Sequence, residues 1–554
     1  MKIRLLAGSM LLVCACSGSM APSSVLQSQD DGPVVVVPPS LGAAAWEKDR
    51  AATWADVDRL VDEQKYQSAL QIVEEIVTAA RQQGDAPEQV RALIRRVGLE
   101  ISLNRNEDAV NHLIGSVETW PQDLVSRTLL GLYLAESLNQ YKGFYSWEIN
   151  QRPTREDADL KDVRTWSADQ ISDRVMSILF ELWSWRDALV DVRIETVKEF
   201  VRPDTYPDKV RGTLADSVAY MLADKLADSS LWTPAESNGL WRLDIEKLMA
   251  PAARAPLSAP PAENHPLETL SLILRDHQAL KESRGLTDSA FDARLVLTNT
   301  LSSHSGSLPA WNTYLIEWLT KRLAVKPDFD WWAEGMYVLA DMTRNVDKDD
   351  SQIHARRIAL ECVKGRPGSD GASRCRNLVT QIEARQIGSL SSRANARPGQ
   401  EFISVSVRNV DHLWFKAWKV DYGKALSGPK VRDPQNAIIE SFRNTTSLQK
   451  PDLTWDIAVT DPGNFRDHTL RLAPPIKEKG AWVIQLSANR EFSKEDNVIQ
   501  NILVYLDGPI VVTEFDQSRQ DRTIRVLDGE FGSPIAGARI RLFSVSWQRG
   551  EAAL

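Results

Sequence analysis

Cysteine is scarce in this chain, four residues in 554, which excludes a fold knitted by many disulfides. Long hydrophobic runs are missing as well. A membrane-crossing helix needs about 20 mostly apolar residues, and no segment after the amino terminus supplies them. Positive charge is not in excess: 66 Lys and Arg stand against 75 Asp and Glu, a formal charge of −9. Duplex nucleic acid calls for a clustered basic face, so no nucleic-acid partner is expected. The local signatures of common chemistry are absent too. There is no GxGxxG, no Walker loop, no HExxH and no GxSxG. Seven histidines are present, none paired at metal-ligand spacing. His304, in Ser303-His304-Ser305, has no third member of a triad nearby and reads as a polar loop residue. Asp347, Asp349 and Asp350 lack the glycine and closing glutamate of a calcium loop and read as a solvated charge run. The expectation is a non-enzyme with no cofactor, no metal and no catalytic residues.

What remains is an ordinary globular composition, 43% apolar and 25% charged, long enough for roughly three to five domains. Its oddity is tryptophan: 18 residues, against 13 Phe and 10 Tyr. Trp carries a large apolar area and one N–H to satisfy, so most are expected to pack between helices.

Residues 46–386 read as helical. Val175, Ile178, Leu179, Leu182 and Trp183 recur at three- and four-residue spacing, and the segments 270–280, 290–301, 311–323 and 331–342 behave alike. An internal repeat opens this region. Val57, Val61, Ala69, Leu70, Val73 and Val77 are matched by Val97, Ile101, Ala109, Val110, Leu113 and Val117. The pattern resembles degenerate tetratricopeptide repeats, whose hairpins bury their apolar faces only by stacking. Prolines 251, 256, 260, 261 and 266 mark a surface connection within it.

From about Ser389 the period falls to two. Residues 401–408 alternate cleanly, and 413–419, 453–459, 482–486, 502–506 and 510–513 are further strands. Turn formers such as Asp461-Pro462-Gly463 separate them. Strands this short and close predict an antiparallel β-sandwich over 387–516. Residues 522–527 and 539–544 start a second unit, 517–554, with too few strands to close. The fold class expected is therefore multidomain α then β: a repeat array, then immunoglobulin-like sandwiches, the last one incomplete. Such a chain reads as the amino-terminal part of a longer protein.

The first residues give the address. Lys2 and Arg4 precede an apolar core, Leu5 to Val13, too short to cross a bilayer, so 1–15 reads as a signal peptide. Val13-Cys14-Ala15-Cys16 resembles the lipobox of bacterial lipoproteins, with Cys16 the lipidated residue. Ser17 after it resembles the pattern retained at the outer membrane. A membrane partner through the lipid anchor is thus expected, with 16–45, rich in Ser, Gly and Pro, as flexible tether. In that oxidising compartment Cys362 and Cys375 form the remaining pair. A structural disulfide is the first expectation, worth about 3 kcal/mol through chain entropy. Zinc or free thiols are the alternatives.

Taken in order, these parts resemble the amino-terminal region of bacterial alpha-2-macroglobulin-like lipoproteins. Arg408-Asn409-Val410 with Leu413-Trp414-Phe415-Lys416-Ala417-Trp418 resembles the strand pair of their first macroglobulin domain. Ser533-Pro534-Ile535-Ala536-Gly537-Ala538-Arg539 onward resembles the hairpin that opens the next. The resemblance implies protease trapping, with proteases as partners and endopeptidase inhibition at the envelope. The family's Cys-x-Glu-Gln thioester is absent from these residues, so no covalent trapping is expected of them. The rival expectation is a non-inhibitory helical-repeat scaffold lipoprotein that binds an envelope protein or peptide.

Overall fold

The computed structural model describes residues 49–553 except 156, 158, 202–204, 256, 260, 262, 307, 325–328, 394–395, 421–449, 494–496, 507, 517–520, 530, 541–545 and 549–550. The signal segment, Cys16 and the tether lie outside the described residues. The chain is α-helical as far as Glu383 and antiparallel β from Gln386 onward, which is where the hydrophobic period changes. It divides into two compact units between Trp332 and Ala333. Helices Ser351–Gly365 and Asp370–Glu383, and nearly all of Trp332–Arg344, therefore belong with the sheets. Periodicity marks the change from helix to strand but does not say which core a helix joins.

In the first unit, helices Arg50–Asp62, Tyr66–Gln83, Ala86–Ser102, Asn106–Ser116 and Leu124–Phe144 each pack against the next. The internal repeat has a geometric counterpart. Gln64 and Asn104 occupy equivalent turns, both left-handed with φ of 59°. In each, the following N–H reaches back to the last helical turn, Lys65 to the Leu60 carbonyl at 2.8 Å and Arg105 to the Glu100 carbonyl at 2.9 Å. That is the Schellman closure, which satisfies carbonyls a helix end leaves orphaned. Ala69 and Ala109, small where the helices cross, are both buried. The series continues through Ala168–Ser184, Leu214–Ala227, Pro266–Ser283, Thr287–Ser303 and Pro309–Leu323, again neighbour to neighbour. Tryptophan serves this packing as expected: Trp54, Trp120, Trp166, Trp183 and Trp311 are all buried, whereas Trp147 and Trp241 stand in solvent.

Among the described residues, the second unit holds two larger sheets. Strands β1 (Gln386–Ser392), β2 (Ile403–Arg408) and β5 (His468–Leu472) form one, in the order β1-β2-β5. Strands β3 (His412–Val420), β4 (Leu453–Ala458), β6 (Gly480–Ser487) and β7 (Ile499–Leu506) form the other, in the order β4-β3-β6-β7. One core joins them. Val405 and Val407 of β2 share it with Leu413, Phe415 and Ala417 of β3, Ile484 of β6 and Val504 of β7. Phe415 and its cross-strand partner Trp455 stack with ring centroids 4.8 Å apart and planes 2° from parallel. Cross-strand aromatic pairs of this kind fix register as well as adding contact.

Two of these strands escape the periodicity. β1, Gln-Ile-Gly-Ser-Leu-Ser-Ser, is mostly polar, and its register slips between Ile387 and Leu390. A Cβ at Gly388 would sit 3.3 Å from Ser406, so glycine marks the slip where the two strands press together. β5 is five residues long, at the sheet edge, with no fully buried side chain. Beyond the two sheets, Ile510–Asp516 pairs with Asp521–Leu527 as a ribbon. Arg539 and Ile540 are in no strand, correcting the expectation of one over 539–544, whose remaining residues lie outside those described. A short hairpin, Ser546–Gln548 with Glu551–Ala553, follows.

The turn between β2 and β3 does a second job. Asn409 is left-handed, φ 56°, a conformation its short polar side chain tolerates. Its Nδ2 donates to the Ile382 carbonyl at 2.7 Å and the Ala384 carbonyl at 3.1 Å, so the loop caps the last helix of this unit.

Candidate functional site

The described residues enclose a cleft of about 790 Å³ in the first unit. Three helices and one extended segment build it. The helix Thr287–Ser303 contributes Ala290, Phe291 and Arg294, one face at three- and four-residue spacing. Tyr314, Trp318 and Arg322 project from one face of Pro309–Leu323, and Gln278 and Glu282 from Pro266–Ser283. The fourth wall is Met249 to Ala252, with Glu246 from the preceding turn.

That fourth wall opens the proline-rich stretch read from sequence as a surface connection. Proline has no N–H to offer, so such a segment is anchored through its carbonyls. Arginines supply the donors. Arg294 Nη1 donates to the carbonyls of Met249 (3.3 Å) and Ala250 (3.0 Å), Arg275 Nε to Pro251 (2.9 Å), and Arg186 Nη2 to Ala255 (2.9 Å). The connection is stitched down at four carbonyls.

The same unit holds buried ion pairs. Asp216 closes a capping box with Thr213 and also takes Lys281 Nζ at 2.8 Å and His277 Nε2 at 2.8 Å; all three of these ionisable side chains are essentially inaccessible. Burial opposes the Asp216 charge, but hydrogen bonding from His277 and the charge of Lys281 outweigh it and hold the carboxyl far below its usual range. Burial pushes His277 down, so the ring stays neutral and its Nδ1 has no partner among the described residues. Asp292 accepts from Arg211 Nε at 2.7 Å and Trp331 Nε1 at 2.9 Å, while Asp276 pairs with Arg186 and with Arg254 Nε at 2.9 Å.

Arg294 breaks this pattern. It is 4% exposed, as buried as the others, yet no carboxylate among the described residues lies within ion-pair distance. Its Nε donates to Gln278 Oε1 at 2.8 Å and its plane faces the Trp318 ring at 5.6 Å. Burial, and then the nearby Arg275, push this guanidinium down to about 10, against a weaker opposing pull from Glu282. Arg322, exposed on the same wall, lies 5.6 Å over the Phe291 ring. The cleft thus combines aromatic surface, two cations and two carboxylates, Glu246 and Glu282. Nothing in it is arranged as a nucleophile with a base.

The residues singled out from sequence lie elsewhere. His304 stacks on Trp232 at 4.9 Å and meets the Ala227 carbonyl at 3.0 Å, while Ser303 turns its hydroxyl to the Thr300 carbonyl. Asp347 sits in solvent and takes Arg466 Nη2 at 2.6 Å. Cys362 and Cys375 are brought together on adjacent helices of the second unit, fully buried, as free thiols in hydrogen-bonding contact. The expected bond between them is a change of covalent state and not of fold. Contact with Cys362 and then burial push the Cys375 thiol up, so little thiolate forms. Alkylation of the native chain is expected to spare both, and diamide oxidation to join them with a gain of about 3 kcal/mol. Thiols at Cys362 and Cys375 that remain titratable after diamide treatment and unfolding, located by peptide mapping, count against the pairing.

No protein-family model matches the chain, and no curated protein matches it in sequence.

Proposed function

We propose that this chain belongs to a bacterial envelope lipoprotein of the alpha-2-macroglobulin type, anchored at the outer membrane through Cys16 and acting on proteases as an endopeptidase inhibitor. One observation carries the reading. Seven strands in a three-stranded and a four-stranded antiparallel sheet share a single core, which supports an immunoglobulin-like sandwich. They follow a helical array in which each hairpin packs on the next, as tetratricopeptide-like repeats do. The Arg408-Asn409-Val410 motif lends support, since Asn409 has a conformational and a capping role in the turn that joins the two sheets. Cys362 and Cys375 serve this reading as a staple between two helices in an oxidising compartment.

A trap hinders access without touching the protease's active site. Incubation of the lipoprotein with trypsin is therefore expected to suppress digestion of casein while leaving a small chromogenic peptide substrate cleaved at its normal rate. Equal rates on both substrates, with and without the lipoprotein, overturn the inhibitor reading. The cleft in the first unit then favours the second one, a helical scaffold that binds a peptide of an envelope partner.

A further inference from the structure

We propose that the cleft of the first unit binds a peptide carboxylate, received by Arg294 and Arg322, with an apolar side chain of the ligand laid against Trp318 and Phe291. It rests on the cleft alone and stands whether or not the protein inhibits a protease.

The case begins with a comparison inside the molecule. Arg186, Arg211, Lys281 and Arg294 are buried cations of the same unit. The first three each meet a buried aspartate, at positions 276, 292 and 216. A buried cation without a counterion is costly, and a fold normally supplies one. Arg294 has carbonyls and an amide instead, which use Nε and Nη1 and leave the Nη2 donors with no acceptor among the described residues. Arg322, on the opposite helix, is exposed and has no ion pair among the described residues. Two guanidiniums facing one cleft form a receptor for an oxyanion, because each offers paired N–H donors at carboxylate spacing.

The rest of the lining selects among oxyanions. Glu246 and Glu282 share the cleft, and their charge disfavours a dianion such as phosphate. The same glutamates can accept from the amide N–H groups of a peptide. Phe291 and Trp318 add apolar surface that an inorganic ion cannot use. The volume, about 790 Å³, lies within the range of about 300–1,000 Å³ common for ligand sites.

Calorimetry on the full chain tests this with four probes: N-acetyl-Leu-Phe, its carboxamide, N-acetyl-Asp-Phe-amide and inorganic phosphate. N-acetyl-Leu-Phe or the aspartyl amide is expected to bind, the neutral carboxamide at least about tenfold more weakly, and phosphate not to compete. Preference for the first places the ligand's anion at a chain terminus, and preference for the aspartyl amide places it on a side chain; both uphold the site. Arg294 variants risk the fold, so Arg322→Gln is the informative substitution. It should weaken binding about tenfold while leaving the melting temperature unchanged. A neutral carboxamide that binds as tightly as the better of the two anionic peptides, no heat from any peptide at about 1 mM, stronger binding of phosphate, or an Arg322→Gln protein that binds as before would each overturn the proposal. In those cases Arg294 is only the clamp that holds the 249–250 carbonyls.

Discussion

Asp216→Asn is expected to lower the unfolding free energy of the first unit by about 3–5 kcal/mol, the range found when one partner of a buried ion pair is removed. The amide keeps the shape of the carboxylate but not its charge. Lys281, 1% exposed, then has no counterion, and the capping box with Thr213 loses its charge-assisted bonds. Urea unfolding followed by far-UV circular dichroism measures the change; a loss under about 1 kcal/mol would show that the Lys281 ammonium reaches water in the variant. The same cluster sets a pH dependence. Asp216 is depressed in the folded chain, so its contribution is complete above the unfolded value of about 3.9 and is lost as pH falls toward the folded one. His277 is also depressed, which means that below about pH 6.5 the unfolded chain takes up a proton that the folded chain refuses. Stability should therefore decline from neutral pH downward by up to about 1.4 kcal/mol per unit from this histidine.

Gly371→Ala carries the second large effect. A Cβ there would lie 2.3 Å from the Ala333 carbonyl carbon and 2.4 Å from the Glu334 nitrogen. Both are backbone atoms of the facing helix, which cannot swing aside as a side-chain end would. Other contacts converge on the same spot: Cys362 Sγ reaches the Ala333 carbonyl at 3.4 Å and Arg374 pairs with Glu334 at 2.5 Å. Forcing the helices apart should cost about 3 kcal/mol, at the upper end for overpacking. Gly368→Ala is the control. Its Cβ would meet nothing within 4 Å, and a change within about 0.5 kcal/mol is expected. Denaturant midpoints of the two variants decide the matter, and matching midpoints would mean that the 370–383 helix can shift freely.

Much of the fold is legible in the residues. Alternation locates β2, β3 and β4, and a short apolar run locates β6 and β7, because each packs on a shared core, whereas β1 and β5 are too polar or too short to carry a period. The repeat is legible in its apolar positions, and the structure adds equivalent turns, with Gln64 and Asn104 in the same left-handed position. The cleft is not, because distant segments make it and no local motif marks it. Arg294 does leave one trace. It interrupts an apolar stripe, Ala290, Leu297 and Leu301, at a position where only a buried side chain fits. Lys281 does the same after Leu270, Leu274 and His277. A cation inside such a stripe announces either a buried anion or an awaited one, and sequence alone does not tell which. Tertiary neighbours separate the two: Lys281 has Asp216, and Arg294 has no ion-pair partner among the described residues.

Asn409 settles where this polypeptide can be cut. A recombinant piece begun at Gln386, the first residue of strand, would strip both acceptors from the asparagine amide and leave a left-handed residue unsupported at a strand junction. Arg408 would lose its bond to the Gln381 carbonyl in the same stroke. Truncations meant for crystallisation or binding work should start upstream of Ala333, so that the three preceding helices travel with the sheets they brace.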